Sequence, residues 1–234
     1  MGSKRKRNRE KAAGGNDVGL AVVNWLRWAD DDYVAARRLL LDDLLVQGAA
    51  LSNTAIEKYF KTILLIKELS LSKNHDVPKL FGMLKRQGVE IPLNENYLCL
   101  LYKAYKLRYP DELRPGFNIA IDRTRLLTEL DFSVFTIRQR YKVSGPFGAI
   151  SSTVDQMQAS EDSRLLEKNC YYGRQDRLAV FAENASRYCM RVLAPGFIVQ
   201  ATYKTKGVPD THKFDIEYEV SRSGNTINGI LPTA

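Results

Sequence analysis

The side chains able to do chemistry are few and unevenly placed. The chain of 234 residues holds two histidines, His75 and His212, far apart in sequence, and three widely spaced cysteines, Cys99, Cys170 and Cys189. That supply excludes zinc knuckles, disulfide frameworks and any acid–base scheme needing two neighbouring imidazoles. Chemistry must therefore lean on carboxylates, Lys, Arg and Tyr. Lys58 and Lys61 lie one helical turn apart, with Glu57 and Lys61 as an i,i+4 pair and Lys58 pointing away. The run Tyr102, Lys103, Tyr105, Lys106, Arg108, Tyr109 interleaves aromatics with cations, a composition suited to stacking bases. Its helical spacing also fits tyrosines packed in a core, and that is the expected placement. Asp32 falls within an apolar helical stripe, where a carboxylate is expensive unless paired. Arg108 is its first candidate partner and Lys61 the second. The pair Asp32–Arg108 either fixes helix register or orients the guanidinium fork toward a phosphate. No Walker loop, G-x-G-x-x-G or C-x-x-C motif occurs. No metal, cofactor or catalytic residue is assigned.

The elements that must position these groups follow from periodicity. Spacing predicts helices over 17–45, 47–69, 75–87, 94–109 and 119–141, with Asn74 and Asn94 opening the third and fourth, Gly88 ending the third and Pro110 the fourth. Short connections between them imply an antiparallel up-and-down bundle of four or five helices. From residue 143 the composition changes at Ser144-Gly145-Pro146, and a helix over 176–192 precedes strands over 197–204 and 213–220 that alternate with period two. Three units result: a disordered basic arm over 1–16, the bundle over 17–142, and a small α+β extension with a β-hairpin over 143–234. The free strand edge of that hairpin makes a protein-interaction module a further reading.

Composition narrows the class. Hydrophobic residues make up 44% and charged residues 26%, with no apolar run long enough for a membrane span or a signal core, so a cytoplasmic, reducing setting is expected. Lys4, Arg5, Lys6, Arg7, Arg9 and Lys11 against Glu10 supply more than half of the formal +8, leaving the rest of the chain only mildly basic.

Four short motifs in order resemble the HEPN family, higher eukaryotes and prokaryotes nucleotide-binding. Trp25 with Ala29, Asp32, Ala36 and Leu39-Leu40 resembles its first-helix series, and Ala55-Ile56-Glu57-Lys58 with Lys61 resembles its A-x-E-K-x-x-K core. His75-Asp76-Val77 resembles its H-D-L helix start, and Leu107-Arg108-Tyr109-Pro110-Asp111 resembles its RYPD exit. The resemblance implies a homodimeric helical bundle, with roles from metal-independent RNA cleavage to nucleotide binding and partnership with a nucleotidyltransferase, often in defence systems. It also implies Arg108, Lys58, Lys61 and Tyr109 as the phosphate or nucleotide contacts. The family's ribonucleases carry Arg followed after four to six residues by His. Here those positions hold Glu68, Leu69 and Ser70 before His75, and Thr205, Lys206 and Gly207 before His212. A non-catalytic nucleotide- or RNA-binding protein is therefore expected, with a ribonuclease of non-standard active site as the alternative.

Overall fold

The computed structural model describes the backbone of residues 2–69, 75–142, 144–145, 148–149 and 151–208, and the side chains of 18–69, 75–142 and 151–208. Helices α1 (Gly2–Leu41) and α2 (Leu45–Ile66) form the longest contact of the bundle, and α3 (Val77–Arg86) and α4 (Glu95–Tyr105) pack on α2. Helix α1 starts at Gly2, so the basic run expected in a disordered arm lies on helical backbone. Two 3₁₀ turns, Lys106–Arg108 and Pro110–Glu112, follow α4 on either side of Tyr109. Asp76 caps α3 by accepting from Lys79 N, and Asn94 caps α4 by accepting from Asn96 N and Tyr97 N. Asn74, expected in the first of these roles, lies outside the described residues.

The fifth helix departs from its expected start. Residues Asn118–Asp122 form strand β1, and helix α5 (Arg123–Arg140) begins only where the Asp122 carboxylate accepts from Arg125 N. Ile119 and Ile121 are β-branched, lie two apart on one face and bury against the bundle while Ala120 faces the other way, which suits a pleated strand better than a first helical turn. Beyond α5 come the two-residue strands β2 (Ser144–Gly145) and β3 (Gly148–Ala149), then short helices α6 (Thr153–Ala159), α7 (Ser163–Leu166) and α8 (Arg177–Ala182).

The helix expected over 176–192 is corrected: only Arg177–Ala182 is helical, and Ala185–Ala194 is strand β4. It turns through Pro195-Gly196 into β5 (Phe197–Thr205), with Gly196 at φ +73°. The three-stranded antiparallel sheet has the order β1-β4-β5. In its register Ile121 faces Tyr188 and Ile119 faces Met190, so bundle and extension share one sheet. The hairpin is thus β4–β5, and the strand read over 213–220 lies outside the described residues, as does His212.

The main core runs through both parts, from Tyr33, Ile56, Phe60 and Leu98 to Val154, Leu165 and Val192. Two buried polar knots fasten the extension. Arg37, fully buried, pairs with Asp131 and donates to the carbonyls of Arg164 and Glu167, while Tyr33 Oη donates to Asp131 at 2.8 Å. Arg138 spans Asp30 at 2.8 Å and Asp155 at 2.6 Å, and Asp30 also accepts from Tyr59 Oη and from Val154 N. Burial is the largest influence on both Asp30 and Asp131 and raises them above the usual carboxylate range, with Arg138 and Arg37 respectively opposing it.

Candidate functional site

Glu57 is the hub of the one cluster that joins several of the sequence motifs. It sits in α2 with its carboxylate buried, receives Lys61 Nζ at 2.6 Å from the next turn, and holds His75 Nδ1 at 3.0 Å. The i,i+4 geometry of α2 dictates the first contact. The second follows from the entry to α3, where Asp76 is the cap and His75 the residue before it, its carbonyl accepting from Asn53 Nδ2 at 3.3 Å.

The imidazole of His75 is more than half exposed and stacks on Tyr105, with ring centroids 5.8 Å apart and planes 21° from parallel. The Arg108 guanidinium lies 4.9 Å from the Tyr105 centroid and 5.9 Å from that of Tyr109, and the two tyrosines meet edge to face. On the other side, Lys61 Nζ is 5.5 Å from the Trp25 ring, which contacts the half-exposed Trp28. One unbroken chain of contacts therefore runs Trp28, Trp25, Lys61, Glu57, His75, Tyr105, Arg108, Tyr109.

Several expected placements change. Asp32 does not meet Arg108: it pairs with Lys58 at 2.7 Å, and both are only partly exposed. The buried face of α1 centres on Ala29, Tyr33, Ala36, Arg37 and Leu40, turned from the stripe read in the sequence toward Tyr33 and Arg37, which puts Asp32 on the flank. The carboxylate that is buried in α1 is Asp30, two residues earlier. Lys58 is not a free outward cation, since Asp32 neutralises it, and it sits one turn along the same α1–α2 seam as Lys61. Lys61 is buried and held by Glu57.

The tyrosines of α4 are also relocated. Its core face is Tyr97, Leu98, Leu101 and Ala104, while Tyr102 and Tyr105 are half-buried and Tyr109 is exposed. Lys106 lies 4.8 Å from the Tyr102 ring, which continues the same surface. Arg108 is exposed and, among the described residues, its contacts are with rings and with no carboxylate. Its charge is available to an anion. Burial, the largest influence, and the neighbouring Tyr109 and Glu57 push the Tyr105 hydroxyl up, against the lowering effect of Arg108, so it stays a neutral donor at physiological pH. Exposed π faces beside an unneutralised guanidinium suit unstacked bases and phosphate esters. With Nδ1 of His75 facing Glu57, Nε2 is the ring nitrogen outside that contact.

Of the residues expected to contact phosphate, the structure brings Lys61, Arg108 and Tyr109 into one chain of contacts and pairs Lys58 with Asp32, while the Glu57–His75 contact and Trp28 were not read from the sequence. The interleaving of Tyr and basic residues over 102–109 was the available signal for an exposed surface. Among the described residues no group of three His, Cys, Asp or Glu side chains is placed to hold a metal, and no helix is long and apolar enough to cross a membrane.

Comparison with known proteins agrees with this architecture. The HEPN domain family model matches residues 22–129, from the middle of α1 into α5, so the helical bundle of this chain is similar to a HEPN domain. No curated protein matches the chain, and neither does any solved structure.

Proposed function

We propose that this protein, whose bundle is similar to a HEPN domain, binds single-stranded RNA on the surface made by α4 and the turn after it, with Arg108 on the phosphates and Tyr105 and Tyr109 stacking bases. The observation that carries the reading is an exposed Arg108 set against two tyrosine rings without a carboxylate partner among the described residues. A duplex hides its base faces, so this array favours unstacked strands. Lys61 and Lys58, each neutralised by a carboxylate, contribute to the shape of the surface more than to its charge. In the same reading the protein is a cytoplasmic homodimer, a state that light scattering on the purified chain checks.

Fluorescence anisotropy with a labelled RNA oligomer tests the proposal. Arg108→Ala is expected to weaken binding on the order of ten-fold and to lower the salt slope by about one, and Tyr109→Ala to weaken it on the order of ten-fold with little change in slope. No binding by the wild-type chain at low salt removes the reading.

A second reading, RNA cleavage without metal, is favoured by the Glu57–His75 contact, which engages Nδ1 and leaves Nε2 for proton transfer, on an imidazole that shares the Tyr105 ring with Arg108. RNA incubated in chelator is then cut by the wild type and spared by His75→Ala. RNA left intact by the wild type refutes cleavage and leaves binding standing.

A further inference from the structure

The first half of α1 carries more apolar surface than the bundle covers. Over residues 18–29 the chain holds two polar side chains, Asn24 and Arg27. A helix apolar on all sides is normally surrounded by protein or lipid. Here the bundle takes one face, burying Val22, Leu26 and Ala29, while Leu20 is 62% and Trp28 51% exposed. With the exposed Arg27 they fall within an arc about 100° wide on the side opposite the buried face. Helices α1 and α2 run antiparallel, since Asp32 meets Lys58 and Trp25 meets Lys61. The end of α2 at Ile66, itself exposed, is thus level with the turn around Leu20. Helix α1 continues from there to Gly2, roughly 27 Å past the end of its neighbour.

The charge along the same helix narrows what covers this surface. Residues 1–29 hold seven cations, six of them from Lys4 to Lys11, against Glu10 and Asp17. Carboxylates resume only at Asp30, Asp31 and Asp32, where Asp30 pairs with Arg138, Asp32 pairs with Lys58, and Asp31 accepts from Thr153 Oγ1 at 2.7 Å. A basic run joined on one helix to exposed Leu and Trp is the combination that holds a helix in the plane of an anionic bilayer. The cations meet headgroups, the aliphatic side chain enters the acyl boundary, and the Trp ring settles at the interface. Among the described residues no helix is long and apolar enough to cross a membrane, so the segment lies on the bilayer and does not span it. RNA would use the cations, but Val18 and Leu20 have no π face to stack on a base. A second copy of the chain would bring further cations of the same sign to the seam.

We infer that the first half of α1 binds the surface of a membrane containing anionic lipid, independently of the α4 surface. The test is flotation of the full chain with vesicles of phosphatidylcholine alone and with phosphatidylserine added. Binding is expected to the anionic vesicles and should weaken as salt is raised. The chain has two tryptophans, Trp25 and Trp28, both in this segment, so its tryptophan emission should move to the blue on binding. Leu20→Ser and Trp28→Ser, at exposed positions that leave the thermal midpoint in place, should each weaken binding on the order of ten-fold. Lys4→Ala, Arg5→Ala, Lys6→Ala and Arg7→Ala combined should weaken it on the order of a hundred-fold, and Arg108→Ala should leave it unchanged. The inference is overturned if the wild type leaves anionic vesicles unbound, or if both apolar variants bind them as the wild type does, because charge alone is then being read. It is equally overturned if vesicles stay unbound while Leu20→Ser lowers the molar mass in light scattering, which makes a second copy the occupant. Loss of RNA binding in the four-alanine variant, with no vesicle binding by the wild type, overturns it too and gives the basic run to RNA.

Discussion

Arg37 shows how a single residue can join two parts of a chain. Its guanidinium is out of contact with water and serves Asp131 and two carbonyls of the extension at once. Removing it leaves a buried carboxylate and unpaired acceptors, so Arg37→Met should cost about 3–5 kcal/mol, read from urea denaturation. Replacing both charges, in Arg37→Met with Asp131→Leu, should recover part of that loss, since the stranded charge is gone. Asp155 offers a pH-dependent counterpart. Burial raises its carboxyl, but the Ser152 backbone N–H and the Arg138 guanidinium outweigh this and hold it below the usual range. A carboxylate depressed in the folded state stabilises above its unfolded value and loses that contribution as pH falls through the folded one. The gap in denaturation midpoint between wild type and Asp155→Asn should therefore be constant above about pH 5 and shrink below about pH 4. A gap that persists unchanged at low pH would show that the amide fails for a reason other than charge.

At the scale of elements, local chemistry was legible and distant pairing was not. The start of the fourth helix at Asn94 and the Glu57–Lys61 pair depend only on neighbours a turn away, and both stand where the sequence puts them. Strand β1 was hidden because three apolar residues, Ile119 to Ile121, run directly into a helical pattern, and only β4, far along the chain, makes them a strand. The spacing of Leu178, Phe181, Ala185, Tyr188 and Val192 fits a helix, yet the alternation of Tyr188, Met190 and Val192 with Arg187, Cys189 and Arg191 fits a sheet equally well. Tertiary pairing decides between them. The site was half legible for the same reason: helix phase misplaced Asp32 and the tyrosines, while the motifs themselves named Lys61, Arg108 and Tyr109. The hairpin turn gives an element-scale prediction. A Cβ at Gly196 meets nothing within 4 Å, so its φ of +73° is the sole obstacle to a side chain. Gly196→Ala should cost about 1–2 kcal/mol, read as a lower denaturation midpoint with an unchanged slope.

Across the whole molecule, the extension supplies parts that the bundle cannot replace. Strand β4 is the centre of the sheet and, among the described residues, the partner of β1; Val154 and Leu165 enter the common core, and Arg37 and Asp30 reach acceptors and donors beyond residue 150. A chain ending at residue 142 would expose the apolar face under α6 and α7. It would also strand Arg37 without its carbonyls and leave Ile119 and Ile121 on an unpaired strand. Such a fragment should keep helical circular dichroism, bind a hydrophobic dye, and lose the cooperative unfolding transition of the full chain. A sharp transition in the fragment would mean that the helices of the bundle close on themselves. In that case the buried knots at Arg37 and Arg138 would be fastenings for a detachable extension, and the boundary read at residue 143 would be a boundary of folding as well as of composition.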